Sequence, residues 1–159
     1  MTAGNSSQLS DGASAVVLAS AERASELGVK PLARVLSSAA AGVDPTIMGI
    51  APAYAIPRAL ELADITAEQV DIWEIHEAFA AQVLAVLREL ETRTGFAIPD
   101  ERLNPNGGAV ALGHPFGDSG TRCVLTVVTE LQVRRARYGC VGICVGSGQG
   151  VAAIIERVR

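Results

Sequence analysis

The sequence has few aromatic residues, no excess of positive charge and no long apolar run, and the last two shortages each exclude a class of protein. With a formal net charge of -4, the chain lacks the surplus of Lys and Arg that binds nucleic-acid phosphates. No apolar run approaches the ~20 residues that span a bilayer. We therefore expect neither a nucleic-acid partner nor a membrane partner.

Cysteine is also scarce. Three cysteines are an odd number and too few for a disulfide scaffold, which is typical of a reducing compartment. The first seven residues contain neither the apolar core of a signal peptide nor an Arg-rich presequence. These two features predict a cytoplasmic location.

Apolar and small residues are plentiful, since 49% of the 159 residues are hydrophobic and 16 are glycine. The apolar fraction excludes a disordered chain, and the length suits one domain with a sizeable core or two small domains. Small residues let backbones approach closely, as in layered α/β packing. An alanine-rich composition would also account for them.

Apolar periodicity and capping residues predict that strands and helices alternate. We expect strands over 13–19, 32–41, 70–75, 138–145 and 150–157, and helices over 20–27, 52–63, 77–91 and 119–133. The first strand should be buried on both faces and the strand at 70–75 half-buried. A Gly-rich loop covers 105–120, and the last two strands form a hairpin. The order predicts an α/β fold with a mixed sheet covered by helices.

Both histidines lie next to predicted helix starts. His76 follows the strand that ends at Ile75 and opens a helix, whereas His114 lies in a Gly-rich loop just ahead of another helix. Pro115 biases His114 toward an extended backbone. Backbone N–H groups converge at helix starts, which suits an anionic ligand or intermediate. The pattern leaves open whether the histidines are catalytic or structural.

Cys140 and Cys144 lie in one predicted strand, where ~3.3 Å per residue separates them by ~13 Å. That separation excludes a disulfide or a shared metal ion, so no metal site is expected. Cys144 meets the turn at Gly146-Ser147-Gly148, where free N–H groups would stabilise an oxyanion or a thiolate. The Gly-x-Gly-x-Gly pattern precedes a strand instead of a helix, which excludes a dinucleotide-binding loop.

Four ordered motifs resemble the C-terminal part of thiolases, the acetyl-CoA acetyltransferases and 3-ketoacyl-CoA thiolases. The motifs are Thr2-Ala-Gly-Asn-Ser-Ser7, Asn106-Gly-Gly-Ala, Gly113-His-Pro-Phe-Gly-Asp-Ser-Gly120 and Cys144-Val-Gly-Ser-Gly-Gln-Gly150. The resemblance implies the five-layered, thiolase-like α/β fold, with residues 1–28 as the tail of an N-terminal domain and 29–159 as the C-terminal domain. It also implies that the acylated cysteine belongs to an N-terminal half that is missing here.

The resemblance implies roles for four residues. His114 would be the base that activates the absent nucleophilic cysteine, and Cys144 the acid and base that moves the proton at the acyl α-carbon. The N–H of Gly146 would contribute to the oxyanion hole around the acyl-enzyme, and would help to lower the pKa of Cys144. His76 stands where most thiolases have an Asn that holds a water in the other oxyanion hole, and some members resemble this chain in having His there.

Three more positions match substrate contacts in thiolases. Ser7 would contact the pantetheine of coenzyme A, and Met48 and Phe79 would line the acyl pocket. A coenzyme A thioester is the implied substrate, with no bound cofactor, because N–H donors and a neutral imidazole stabilise a thioester oxygen without a metal. His at position 76 and the Ser147 and Gln149 that interrupt the usual Gly-Gly-Gly-Met pattern bear on the acyl-chain preference.

These features predict an acyl-CoA C-acyltransferase that cleaves 3-ketoacyl-CoA thiolytically or runs the reverse Claisen condensation, in fatty-acid β-oxidation. The chain alone should be inactive, and its expected partners are acyl-CoA, CoA, and the missing N-terminal half or further copies of itself. The helices at 77–91 and 119–133 should expose apolar surface. A non-catalytic CoA-binding fragment or partner subunit remains the alternative; a ketoacyl synthase relative is disfavoured because Cys144 is characteristic of thiolases.

Overall fold

A computed structural model describes residues 1–158, and its helices and strands alternate along the chain. The helices are α1 (Ala21–Glu26), α2 (Pro52–Ala63), α3 (Ala80–Thr94), α4 (Ala109–Leu112) and α5 (Ser119–Val133), and the strands are β1 (Ala33–Gly42), β2 (Ile72–Ile75), β3 (Tyr138–Val145) and β4 (Gln149–Arg157). Except for the strand at 13–19, each predicted element lies within three residues of its expected bounds. The short α4 lies inside the predicted Gly-rich loop.

The strands form one mixed sheet in the order β1-β4-β3-β2, which confirms the predicted sheet type. β4 pairs antiparallel with β1 and β3, and β2 runs parallel to β3. The β3–β4 hairpin turns through Ser147 and Gly148, whose φ angles are +70° and +88°. A Cβ at Gly148 would collide with the carbonyl oxygen of Val43, so this turn needs glycine.

Helices cover both faces of the sheet. α2 packs on one face with α3 beside it, and Trp73 and Ile56 lie fully buried in that core. α5 packs on the other face, where Val127 and Leu131 join a second buried cluster. A Cβ at Gly139 would collide with Val127, so a small residue in β3 permits the approach of α5. This close contact agrees with the layered packing inferred from the composition.

β2 is buried on both faces, so the half-buried strand expected over 70–75 is wrong. The polar residue in its pattern does not face solvent: Glu74 is fully buried, and Arg122 of α5 donates from Nη1 to its Oε1 at 2.8 Å. Burial raises the pKa of Glu74, although the hydrogen bond and charge of Arg122 oppose that change. The apparent alternation therefore marks an ion pair between β2 and α5.

The buried strand predicted over 13–19 is also wrong. Residues 13–20 have no regular secondary structure, and Val17 and Leu18 are 96% and 79% exposed. An apolar run forms a buried strand only when neighbouring strands and covering layers are available, and none of the strands in residues 1–158 pairs with this segment. Leu9 is fully exposed as well, so the apolar surface of this chain is concentrated ahead of β1.

The helices predicted to expose apolar surface do so only in part. Of the large apolar residues within α3 and α5, Leu84 and Val133 alone are exposed. Most of their remaining apolar side chains pack into the two clusters. In the described part of the chain, none of the helices is long and apolar enough to cross a membrane.

Candidate active site

His76 lies at the carboxyl end of β2, in the loop that leads to α3. Its backbone N–H donates to the carbonyl of Gly142 at 2.9 Å, which continues the pairing of β2 with β3. Since α3 begins at Ala80, His76 does not open the helix, contrary to the prediction. The side chain is 1% exposed, and neither ring nitrogen has a partner among the described residues. A buried imidazole with two open nitrogens can hold a water or a substrate oxygen.

His114 lies in the loop between α4 and α5. The preceding Gly113 has φ +94°, a value that favours glycine. The backbone N–H of His114 donates to the carbonyl of Gln8 at 3.0 Å, and its Nδ1 lies 2.6 Å from Oγ of Ser119, the first residue of α5. Hydrogen bonds therefore hold both the backbone and the ring of His114. This residue lies five residues ahead of the first residue of α5.

The two imidazole rings are neighbours, with centroids 4.3 Å apart and planes inclined at 58°. Burial, followed by the charges of His114 and Arg122, lowers the pKa of His76 to about 4. Burial, followed by the charge of Arg122, also lowers the pKa of His114. Both rings are thus neutral near pH 7, the form in which an imidazole nitrogen can accept a proton.

Residues Ser6–Gln8, which we call the N-terminal strap, tie the two histidine loops together. The N–H of Ser7 donates to the carbonyl of Ala78, two residues after His76, at 3.0 Å. Gln8 then accepts the hydrogen bond from the His114 N–H. The strap therefore links the loop that follows β2 to the loop that follows α4.

Cys144 lies at the same edge of the sheet, near the carboxyl end of β3. It follows Gly142, the partner of His76, by two residues and pairs with Gly150 of β4. The side chain is 9% exposed, and burial raises the pKa of the Cys144 thiol despite an opposing backbone hydrogen bond. The lowered pKa expected for Cys144 is therefore wrong for this chain, because desolvation outweighs the N–H donors.

The turn after β3 presents an open backbone face. A Cβ added to Gly146 would meet no atom within 4 Å, so a ligand has room beside this residue. By contrast, a Cβ at Gly150 would clash with the backbone of Ala51, which fixes the hairpin against the start of α2. One glycine thus leaves space next to Cys144 and the other seats the hairpin.

The residues expected to contact substrate lie on three segments around this edge. Ser7 belongs to the N-terminal strap, and Phe79 forms an isolated bridge with Ser6 directly before α3. Met48 is half-buried in the 3₁₀ segment Pro45–Ile50, which packs against α3. The structure thus brings Ser7 and Phe79 to the His76 loop and places Met48 on a segment next to α3.

Sequence analysis missed the polar contacts that support His76. Asn104 accepts from the N–H of Ile75 at 2.8 Å and donates to its carbonyl at 2.9 Å, so one side chain caps the edge of β2 just before the histidine. Glu77 accepts from the N–H of Val110 at 3.2 Å and links this loop to α4. The signal available was the stretch Asn104-Pro105-Asn106-Gly107, whose amides are typical of such side-chain-to-backbone bonds.

Residues 1–158 hold no group of three or more His, Cys, Asp or Glu side chains arranged to bind a metal ion. The three cysteines are free thiols. Two neutral imidazoles and a thiol at one sheet edge can perform proton transfer and can hydrogen-bond to a developing oxyanion.

Comparison with known proteins shows which proteins this chain is similar to. Residues 29–157 match the family model described as "Thiolase, C-terminal domain". The β-ketoadipyl-CoA thiolase of Acinetobacter baylyi is 48% identical over 158 residues, which are 99% of this chain and 38% of that protein. The peroxisomal 3-ketoacyl-CoA thiolase B of Rattus norvegicus is 53% identical over 156 residues, or 98% of this chain and 35% of that protein.

Solved structures show the same likeness. The Bacillus anthracis acetyl-CoA acetyltransferase superimposes with a TM-score of 0.93 at 48% identity, over 99% of this chain and 38% of that one. The human mitochondrial 3-ketoacyl-CoA thiolase in complex with CoA gives 0.94 at 43% identity, over 99% and 39%. The chain thus spans roughly two fifths of the length of these proteins.

Proposed function

Because the chain belongs to the thiolase family, we propose that it carries the acid–base part of an acyl-CoA C-acyltransferase active site. The observation that carries this proposal is the pair of neutral imidazoles, His76 and His114, whose ring centroids lie 4.3 Å apart at the sheet edge that also holds Cys144. The nucleophilic cysteine would come from the part of the relatives that these 159 residues do not match.

His114 is the proposed base for acylation. Its lowered pKa keeps an open nitrogen available, and in the cleavage direction a proton moves from the nucleophilic thiol to that nitrogen as the thiolate attacks the 3-keto carbonyl of the substrate. The bond between the α-carbon and the 3-keto carbon then breaks, which leaves the acyl group on the nucleophilic cysteine and releases the enolate of acetyl-CoA. His114 returns its proton to the nucleophilic cysteine when CoA removes the acyl group.

Cys144 is the proposed acid and base at the acyl α-carbon. Since burial raises its pKa, the thiol form dominates near neutral pH, which suits protonation of the enolate released when 3-ketoacyl-CoA is cleaved. The resulting Cys144 thiolate takes the proton from the incoming CoA thiol, which attacks the acyl-enzyme. The cleavage direction and a place in fatty-acid β-oxidation are part of the proposal, and the 3-ketoacyl-CoA thiolases among the similar proteins support them.

His76 and Gly146 are the proposed oxyanion-hole residues. His76 is buried with both ring nitrogens open, so it can bind a water or the thioester oxygen as a neutral donor. The open face beside Gly146 leaves its N–H accessible to the second oxygen. We further propose that Ser7 contacts pantetheine and that Met48 and Phe79 line the acyl pocket, in line with their positions around this edge.

We also propose that the exposed residues at 9–18 are covered in the working enzyme by the N-terminal part of a thiolase. Leu9, Val17 and Leu18 expose apolar surface of the kind that marks an interface. Further copies of this chain are the alternative cover. The boundary at residues 28 and 29 and the cytoplasmic location remain predictions.

The test is a chimera in which the N-terminal part of the Acinetobacter baylyi thiolase, up to the matched region, precedes Met1. The chain alone should release no acetyl-CoA from acetoacetyl-CoA and CoA, whereas the chimera should turn over. His114→Ala in the chimera should abolish acylation of the nucleophile. A folded chimera that binds CoA without turnover would contradict the proposal and favour the non-catalytic alternative.

A further inference from the structure

We propose that Ser119 is a positioning residue that fixes the tautomer of His114, so that Nδ1 carries the proton and Nε2 is the basic nitrogen. The tautomer follows from the contacts of these two residues. Its catalytic consequence rests on the proposed function, which assigns His114 as the base.

Ser119 is 2% exposed, so its hydroxyl must find its partners inside the protein. Its Oγ lies 3.1 Å from the carbonyl oxygen of Pro115 and 2.6 Å from Nδ1 of His114. A hydroxyl has one proton to donate and two lone pairs that accept. A carbonyl oxygen can only accept, so we assign the Ser119 proton to the Pro115 carbonyl, which also accepts from the N–H groups of Asp118 and Ser119 at 3.2 Å, and direct the Ser119 lone pairs to Nδ1.

An acceptor facing Nδ1 requires that this nitrogen be protonated. The hydrogen bonds then run in one direction, from Nδ1–H of His114 to Oγ of Ser119 and from its O–H to Pro115. Neutral imidazole carries one proton, so Nε2 keeps its lone pair. The pKa of His114 is lowered by burial and by Arg122, which keeps the ring in this neutral form.

The ring cannot easily leave this contact. The backbone of His114 is held by Gln8, and the Phe116 ring lies with its centroid 4.9 Å from the imidazole. Ser119 itself is fixed as the first residue of the 15-residue helix α5. The helix start therefore fixes Oγ of Ser119 in place as an acceptor before any reaction begins. In the other tautomer of His114, Nδ1 would have no proton to donate and would face Oγ with a lone pair.

The direct test is a ¹⁵N–¹H imidazole NMR spectrum of the 159-residue chain, which has only two histidines. We expect His114 to show a protonated Nδ1 and an unprotonated Nε2 at pH 7.5, with His76→Asn used to assign the signals. Ser119→Ala should shift His114 toward the Nε2–H tautomer, and Ser119→Thr should restore the wild-type pattern. Ser14→Ala is the matched control, because Ser14 donates to the Asp118 carbonyl, beside the same helix start, without touching the ring.

A wild-type His114 with a protonated Nε2 would overturn the proposal, and this measurement needs no variant to fold. An unchanged spectrum in folded Ser119→Ala would also overturn it. In the chimera, Ser119→Ala should lower kcat/KM for acylation by about tenfold, the size of one hydrogen bond, and Ser119→Thr should recover it. A chimera without turnover whose His114 still shows the expected tautomer would refute the proposed function and leave the assignment of Ser119 supported.

Discussion

The buried His76 should make the stability of the chain depend on pH, and His76→Asn should remove the part of that dependence that His76 contributes. In the folded chain burial lowers the pKa of His76 to about 4, from an ordinary value of 6.5. Between these pH values the unfolded chain binds a proton that the folded chain does not. The contribution of His76 to the free energy of unfolding therefore has its full value above pH 6.5 and decreases as the pH falls toward 4.

The size of the effect follows from the two pKa values. Each pH unit inside the window costs about 1.4 kcal/mol, so the His76 contribution lost between pH 7.5 and 5.5 is about 1.3 kcal/mol. His114 acts in the same direction, since its pKa is also lowered. His76→Asn keeps His114, so the difference between the two chains isolates His76.

The assay is urea unfolding of both chains at pH 7.5 and 5.5, a range in which most carboxylates stay ionised. The wild-type chain should lose about 1 kcal/mol more than His76→Asn on acidification. Equal losses in the two chains, or a wild-type chain that gains stability at pH 5.5, would refute the reasoning. An NMR titration that puts the pKa of His76 near 6.5 would refute it as well.

Three further outcomes are expected. Cys144→Ser in the chimera should slow α-carbon proton exchange roughly 10²–10⁴-fold while mass spectrometry still detects the acylated nucleophile; near-normal exchange would contradict the acid–base role. Arg122→Met should lower the free energy of unfolding by about 3–5 kcal/mol because it leaves Glu74 buried without its cation, whereas Met in place of the exposed Arg23 should have little effect; equal effects would contradict the buried pair. Val17→Ser should reduce binding of an apolar dye to the isolated chain, and unchanged binding would place the exposed apolar surface elsewhere.

Local sequence patterns predicted the helices and strands whose core contacts lie within this chain. α2, α5 and β3 begin and end at the predicted residues, because their apolar stripes face the sheet or a neighbouring helix inside this chain. The strand expected over 13–19 depends on covering layers that its own composition does not provide, so the pattern was insufficient. For β2 the prediction of a half-buried strand was wrong. The charged Glu74 suggests a strand face exposed to solvent, and only the structure shows that Arg122 of α5 pairs with it.

The site was predicted in part for the same reason. Motifs that resemble thiolases named His76, His114 and Cys144, but no local signal showed that the two imidazole rings would be neighbours. The pKa of Cys144 was predicted in the wrong direction, because a sequence shows nearby N–H donors and not the depth of burial. The Ser119 hydroxyl was likewise expected only as part of a helix start, since the fold of the loop decides that it faces Nδ1.

The N-terminal strap has a consequence for how this protein can be divided. Ser6–Gln8 lie ahead of residue 29, where the match to the C-terminal domain begins. A chain trimmed to the matched residues would keep all four strands and both buried clusters. It would lose the hydrogen bonds by which Ser7 and Gln8 join the two histidine loops, so the strap would no longer fix the position of one loop relative to the other. The region defined by sequence likeness therefore omits the strap that joins the two histidine loops of the candidate site.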